Sequence, residues 1–240
     1  MSILASLLYA DTPLGLMLWS AAYFLAIYCI FAGGSWLLAL GLKRPIEQRL
    51  RRPGQLRAEV LASLRSIILF GVGMALPWAL VRSGLASVDF SASALRVAVD
   101  FLILVLWNDL HFYAMHRLLH ERLPKAHVWH HRSVTASPFA SYSMSLTEAA
   151  LLGSVMPLIM PFHDFAAPAL LALPVWSLFI NSLAHSNCDL FPQAGDDGLL
   201  AFVRHHQRHH SSYHGNYAFL FPVLDRWMGT TSQRAKQGKV

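Results

Sequence analysis

Eight histidines in three clusters are the residues of this sequence whose type and spacing could do chemistry. They read His116-Arg117-Leu118-Leu119-His120, His127-Val128-Trp129-His130-His131 and His206-Gln207-Arg208-His209-His210. On a helix, residues three and four apart share a face, so each cluster can aim its imidazoles at one point. Neutral imidazole suits iron, zinc, copper and nickel. Eight such ligands are too many for one ion and natural for two. The pattern HxxxH, HxxHH, HxxHH therefore predicts a two-metal centre.

Helices must carry these ligands. Asp109, Tyr113, His116 and His120 follow spacings of four, three and four, which puts them on one helical face with Asp109 and Tyr113 just beneath the first cluster. Metal-bound imidazoles usually pass their other N–H to a carboxylate or carbonyl, so Asp109 is expected to orient a ligand, with Tyr113 beside it at the reactive centre. Pro124 breaks that helix, and a second is expected from about Lys125, carrying His127, His130 and His131. The third cluster reads as a short helix closed by Gly215-Asn216. At about 1.5 Å rise per residue, every ligand falls within roughly two turns of a membrane surface.

That membrane is read from composition. Hydrophobic residues make up 55% of the chain and charged residues 13%, against about 25% charged in soluble proteins. Leu14 to Leu42 carries no charge, which exceeds the roughly 20 residues that cross a bilayer. Apolar helices are expected at 14–42, 65–82, 95–115, 147–162 and 165–184. The last two are short enough to form a hairpin that dips in and returns. The expected fold is an all-α polytopic membrane protein of four to five transmembrane helices. It reads as a single membrane domain over residues 1–240, with 116–146 and 185–230 as a helical cap carrying the histidines. The stretch 44–55, with Pro45, Pro53 and Gly54 among many charges, reads as an interfacial helix and turn.

Charge placement sets an orientation. Lys43, Arg44, Arg49, Arg51, Arg52, Arg57 and Arg65 follow the first run; Arg117, Arg122, Lys125 and Arg132 follow the third. Arg204, Arg208, Arg226, Arg234, Lys236 and Lys239 follow the fifth, leaving only Arg82 and Arg96 for the other side. Basic flanks stay in the cytoplasm, so the N-terminus is expected outside and all three clusters inside. The net charge of +6 is then accounted for by topology and anionic lipid contact, and no nucleic-acid partner is implied. The first run is too long, and lacks the basic start, for a cleavable signal. Cys29 and Cys188 read as unpaired thiols, and without CxxC spacing they exclude a thiolate zinc site.

Not every histidine joins the cluster. His163 sits in the outer turn and reads as an ordinary hydrogen-bonded side chain. A metal transporter or a haem electron-transfer protein also uses membrane histidines. A transporter needs a polar path, for which Asp100, Asn108 and Asn181 are the candidates. A haem protein places its ligands within the bilayer, whereas these cluster beyond the helix ends. A membrane metalloprotease would need HExxH, which is absent.

The same motifs resemble the fatty acid hydroxylase and sterol desaturase superfamily. Asp109-Leu-His-Phe-Tyr113-Ala-Met-His116-Arg117 is similar to the lead-in of its first box, and Ser137-Pro138-Phe139 to Glu148 to the segment after the second. Asn216-Tyr217 and Asp225-Arg226-Trp227-Met228-Gly229-Thr230 resemble the trailer of the third, and Ala218 departs from a usual glycine. The likeness covers about residues 100 to 230. It implies a di-iron centre that uses O2 as co-substrate to hydroxylate or desaturate a C–H bond of a fatty acyl, sterol-like or isoprenoid lipid. It also implies that His185, in Asn181-Ser-Leu-Ala-His185-Ser-Asn187, is a further ligand. His111, His205 and His214 read as supporting or packing residues. No GxGxxG, flavin motif or CxxC is present, so electrons must come from a separate ferredoxin or cytochrome docked on the basic face. A chain without fused redox domains reads as bacterial, hence an inner-membrane location.

Overall fold

The charge-free run Leu14 to Leu42 forms one helix, as a segment must that meets its backbone hydrogen bonds without water. The computed structural model describes residues 3–196 and 198–232; Arg234, Lys236 and Lys239 lie outside them. In chain order the helices are α1 (Ile3–Leu8), α2 (Leu14–Leu42), α3 (Gln55–Gly73), α4 (Ala75–Arg82), α5 (Ala94–Glu121) and α6 (Pro124–His127). They continue with α7 (Leu146–Gly153), α8 (Val155–Ile159), α9 (Ala167–Ala184), α10 (Phe202–Ser212) and α11 (Val223–Trp227). Two-residue strands β1 (Val88–Asp89) and β2 (Phe165–Ala166) pair in parallel. Four segments are long and apolar enough to cross a bilayer: Leu14–Leu42, Gln55–Arg82, Ala94–Glu121 and Ala167–Ala184. The chain is an all-α polytopic membrane protein. Leu18, Ile30 and Leu37 are more than 60% exposed on α2, the surface a lipid-facing helix presents.

The bundle has two ends. At one, Trp78 Nε1 donates to the carbonyl of Ala10, β1 meets β2, and the Asp100 carboxylate receives Arg96 and the backbone N–H of Ala166. At the other, Pro45 pairs with Cys188, Gln55 donates to the carbonyl of Thr135, and the three histidine clusters gather. Between these ends α2, α3–α4, α5, the Leu146–Phe162 segment and α9 run alternately up and down. The expected hairpin is therefore a full return: Leu146 starts beside the histidines and Phe162 ends beside β2. A break at Ser154 between α7 and α8 shortens its helical runs.

Two expected elements differ. Residues 44–55 form no interfacial helix. Pro45 and Pro53 interrupt it, and Gly54 takes a left-handed φ of 74° to start α3 at Gln55. Helix α3 thus begins ten residues before the apolar run that announced it. Its polar first turns are buried by side-chain bonds: Glu59 accepts from Gln55, Ser133 and Ser137. Second, the helix expected through the second cluster stops at His127 and resumes as a 3-10 turn over His130–Arg132. At the bundle's centre α2 and α3 approach closely at Gly71, where an added Cβ would stand 2.7 Å from Ala21 Cβ and 2.9 Å from the Met17 carbonyl oxygen.

Candidate metal centre

The C-terminal turns of α5, the short α6 and its 3-10 turn, the end of α9 and all of α10 converge on one buried volume. The imidazoles separate into two groups there, each with nitrogens mutually within 4.8 Å. One contains His116, His120, His127, His131 and His209; the other contains His130, His185, His206 and His210. Every one is buried. The adjacent residues His130 and His131 enter different groups, as do His209 and His210.

The tautomers are set from outside. His116 Nδ1 donates to the Tyr217 carbonyl at 2.8 Å, and His130 Nδ1 to that of Ser143 at 3.2 Å. His185 Nδ1 donates to the Asn181 carbonyl at 2.9 Å, and His209 Nδ1 to that of Gly215 at 2.7 Å. A neutral ring with its hydrogen on Nδ1 has only a lone pair on Nε2. Yet His185 Nε2 lies 3.2 Å from His130 Nε2, so two lone pairs face each other with no hydrogen to share. The same His185 nitrogen lies 3.0 Å from His206 Nε2 and 3.1 Å from His210 Nε2. A cation placed among them relieves this arrangement, and the residues of each group fit one.

Burial keeps the rings neutral. It pushes His130 down to about 4 and, with the nearby His130, pushes His185 down to about 3. Burial and the neighbouring imidazoles hold His127, His131, His206, His209 and His210 well below the ordinary histidine value. The ligand nitrogens are thus deprotonated at neutral pH, the state a metal requires.

The Fatty acid hydroxylase family model matches residues 101–230, more than half of the chain and a span that includes the nine histidines of the two groups. The chain belongs to the fatty acid hydroxylase family. No curated protein and no solved structure shows a significant match to it. Membership makes this hydroxylase-family chain a membrane-embedded oxidoreductase of lipids, and its histidine groups fit the metal dependence of that family.

Within the hydroxylase-family site, the carboxyl partner of an imidazole is Glu148, with Oε1 3.0 Å from His127 Nδ1. Asp109, expected in that role, bonds no imidazole. Its carboxylate receives the backbone N–H of Leu220 at 2.7 Å and of Phe221 at 3.3 Å. Asp109 points to the chain after the third cluster because that loop passes beside α5 and needs acceptors for its buried N–H groups. Tyr113 is likewise displaced from the expected reactive centre: its hydroxyl pairs with Thr230 Oγ1 at 2.9 Å. Asp225 completes the clamp by accepting from the N–H of Tyr217 and Ala218. Asp109, Tyr113 and Asp225 thus hold the loop whose Tyr217 carbonyl fixes His116.

Sequence reasoning missed Glu148 and Tyr213. Glu148 had a local signal, since Ser145-x-x-Glu148 before an apolar run is a capping box, and both of its bonds are formed. Tyr213, in a left-handed turn with φ 69°, sets its ring 4.6 Å from that of His120 and 4.7 Å from that of His131. The other histidines lie apart from the two groups. His111 bonds Ser154, His205 bonds the Asp196 carbonyl, His163 bonds Asp100, and His214 is exposed.

Beneath the groups lies a cavity of about 290 Å³ between α3, α5, α7 and α9. Phe112 separates it from His116, with ring centroids 4.9 Å apart. A smaller apolar cavity of about 60 Å³ adjoins it toward the opposite end, sharing Phe24, Met74, Pro77, Met156 and Pro174.

Proposed function

We propose that this chain is a di-iron, O2-dependent oxidoreductase that hydroxylates or desaturates a C–H bond of a lipid held in the cavity beneath the histidines. The observation that carries this reading is the convergence of five and four buried imidazoles, five of them held from outside through Nδ1, above a largely apolar cavity inside a membrane bundle. Iron rather than zinc is supported by the ligand count and spacing. Structural zinc takes four ligands in a tetrahedron, and the five imidazoles of the first group exceed that set. Two nitrogens about 2.1 Å from one ion and at right angles stand about 3.0 Å apart, while tetrahedral angles spread them to about 3.4 Å. The nearest neighbours stand 3.0 to 3.2 Å apart, and all nitrogens of a group lie within 4.8 Å of one another.

Two bound iron ions would supply the reduction of dioxygen and removal of hydrogen from an unactivated C–H bond. The chain's own residues do the rest. Glu148 and the carbonyls of Asn181, Ser143, Gly215 and Tyr217 hold ligand rings in one tautomer. Phe112, Phe219 and Met144 wall the site with apolar surface and keep bulk water from it. The balance for hydroxylation is R–H + O2 + 2e⁻ + 2H⁺ → R–OH + H2O. For desaturation, a –CH2–CH2– unit loses two hydrogens, and the same inputs give two waters. Two electrons enter in either case, from a separate ferredoxin or cytochrome on the basic face around Arg117, Arg122, Lys125 and Arg132.

The whole chain is read as a single membrane domain of a bacterial inner membrane. Its N-terminus is outside, and 116–146 and 185–230 form a cytoplasmic cap. Metal analysis of the purified protein tests the centre: about two irons per chain are expected, lost from a His130→Ala, His209→Ala double variant. Metal near zero in protein from iron-fed cells would overturn it. Lipid mass spectrometry with and without expression then reads the reaction. A gain of one oxygen marks hydroxylation and a loss of two hydrogens marks desaturation; no change in any lipid rejects both.

A further inference from the structure

The five-imidazole group is not buried evenly. His116 and His127 are each 1% exposed and His209 0%, whereas His120 is 8% and His131 7%. The group therefore comes nearest to solvent at His120 and His131, and one side chain touches both. The ring of Tyr213 stands 4.6 Å from that of His120 and 4.7 Å from that of His131, meeting them edge-on at 63° and 70°. Tyr213 is itself half-buried, and Ser212 and His214 on either side of it are exposed. Its ring thus lies between water and the two outermost imidazoles.

The backbone at this position favours a different residue. Tyr213 closes α10 at φ 69° and ψ −20°, its N–H on the His209 carbonyl. At a left-handed helix end glycine or asparagine is usual, because a Cβ crowds the following carbonyl. Strain of this kind persists where the surroundings make use of it. A hydrogen bond is not the use, since the Tyr213 hydroxyl has no partner among the described residues. What the position supplies is the ring.

We infer that the five-imidazole group takes up and releases its metal past the ring of Tyr213, which serves as its gate. The inference rests on reading the two imidazole groups as the metal centre. A buried metal site needs an entry path, and His120 and His131 are the first of the five rings that an ion from solvent meets. The turn itself is pinned, because the Gly215 carbonyl receives His209 Nδ1 at 2.7 Å. The part free to open is therefore the side chain, which can swing about its own χ1 without moving a ligand.

The test is the exchange of ferrous ion in the full chain carrying His185→Ala, so that only the five-imidazole group is loaded. Uptake is followed after ferrous ion is added to metal-free protein, release after ferrozine is added, and affinity by equilibrium titration. A gate stands on the path in both directions, so its removal speeds uptake and release by one factor and leaves their ratio, the affinity, unchanged. Tyr213→Asn, which suits the left-handed turn, should raise both rates roughly 10- to 100-fold, the weight of two aromatic edge contacts. Tyr213→Gly should do the same, and Tyr213→Phe, which keeps the ring, should keep the original rates. With His185 restored, the same change should appear in only part of the release. A purely structural role predicts a different pattern, with faster release, unchanged uptake and weaker affinity. That pattern, or Asn and Gly variants with the original rates, overturns the gate alone. A wild-type chain that binds no metal would overturn the metal centre with it.

Discussion

Glu148 Oε1 lies 3.0 Å from Nδ1 of His127, and both side chains are 1% exposed. The carboxylate caps α7 with one oxygen and fixes an imidazole of the five-histidine group with the other, so a helix start and a ring of that group depend on one residue. Loss of such an outer partner typically weakens metal affinity by about 10- to 100-fold. Glu148→Gln should therefore lose metal from the five-imidazole group at lower chelator concentration, with little change in helix content. Glu148→Ala should do so and also lose about 1 kcal/mol of stability with its cap. Unchanged chelator resistance in both would remove Glu148 from the site.

His185 is central to the four-imidazole group, its Nε2 within 3.2 Å of three others. Replacing it with alanine should lower metal content from about two ions per chain to about one. His163→Ala, at the opposite end of the bundle, should keep both. A His185→Ala protein that still binds two would show that this ring is not a ligand.

Asp109 acts through the loop after the third cluster. Asp109→Ala would leave the buried N–H of Leu220 and the half-buried N–H of Phe221 without acceptors, at a cost of about 1–3 kcal/mol for the first and less for the second. The thermal midpoint in detergent should fall by several degrees, with metal loss following as the Tyr217 carbonyl releases His116. Asp109→Asn keeps one strong acceptor and should fall between the two. Asn and Ala variants with wild-type midpoints would contradict this role.

Glu47 gives a pH-dependent contribution outside the membrane spans. Its carboxylate is held down to about 2 from an ordinary 4.5, first by the Arg49 hydrogen bond and further by Ser211. Because the folded value lies below the unfolded one, the stabilisation is complete above about pH 4.5. It disappears as pH falls toward 2. The midpoint difference between wild type and Glu47→Gln should be constant from pH 7 to 5 and shrink to nothing near pH 2. A difference independent of pH would mean that the charge is not what matters.

Gly71 tests the packing of the spans. Gly71→Val would push a side chain against Ala21 and the α2 backbone at Met17. A destabilisation of about 1–3 kcal/mol is expected. Gly73→Val has open space at its Cβ and should be tolerated. Equal thermal midpoints for the two variants would show that α2 and α3 are not closely packed.

The membrane helices and the three clusters were legible because each announces itself over a few neighbouring residues. A run without charge, or an HxxHH string, needs no knowledge of the rest of the chain. What escaped was set at long range. The polar start of α3, with Arg57, Glu59 and Arg65, does not look like a membrane helix until Ser133 and Ser137 are seen to bury Glu59. Asp109 shares a helical face with His116, but its partners come from Leu220 and Phe221, far along the chain. Helical spacing also suggested that each cluster aims at one point. The structure instead sends His130 and His131 to different groups, as it does His209 and His210, because successive side chains diverge by about 100° or more around either kind of helical turn. His185 stood out only through likeness to a family, since one histidine at a helix end carries no local pattern.

The two His-His pairs have a mechanical consequence. Each group is tied to the other by neighbouring residues at two places in the chain, once on the turn after α6 and once on α10. Neither cluster of rings can drift from its twin without straining a single peptide link, so the gap between the two imidazole groups is gauged by the backbone itself. A residue inserted between His209 and His210 would spoil the spacing of both positions at once, even though no ring had been removed.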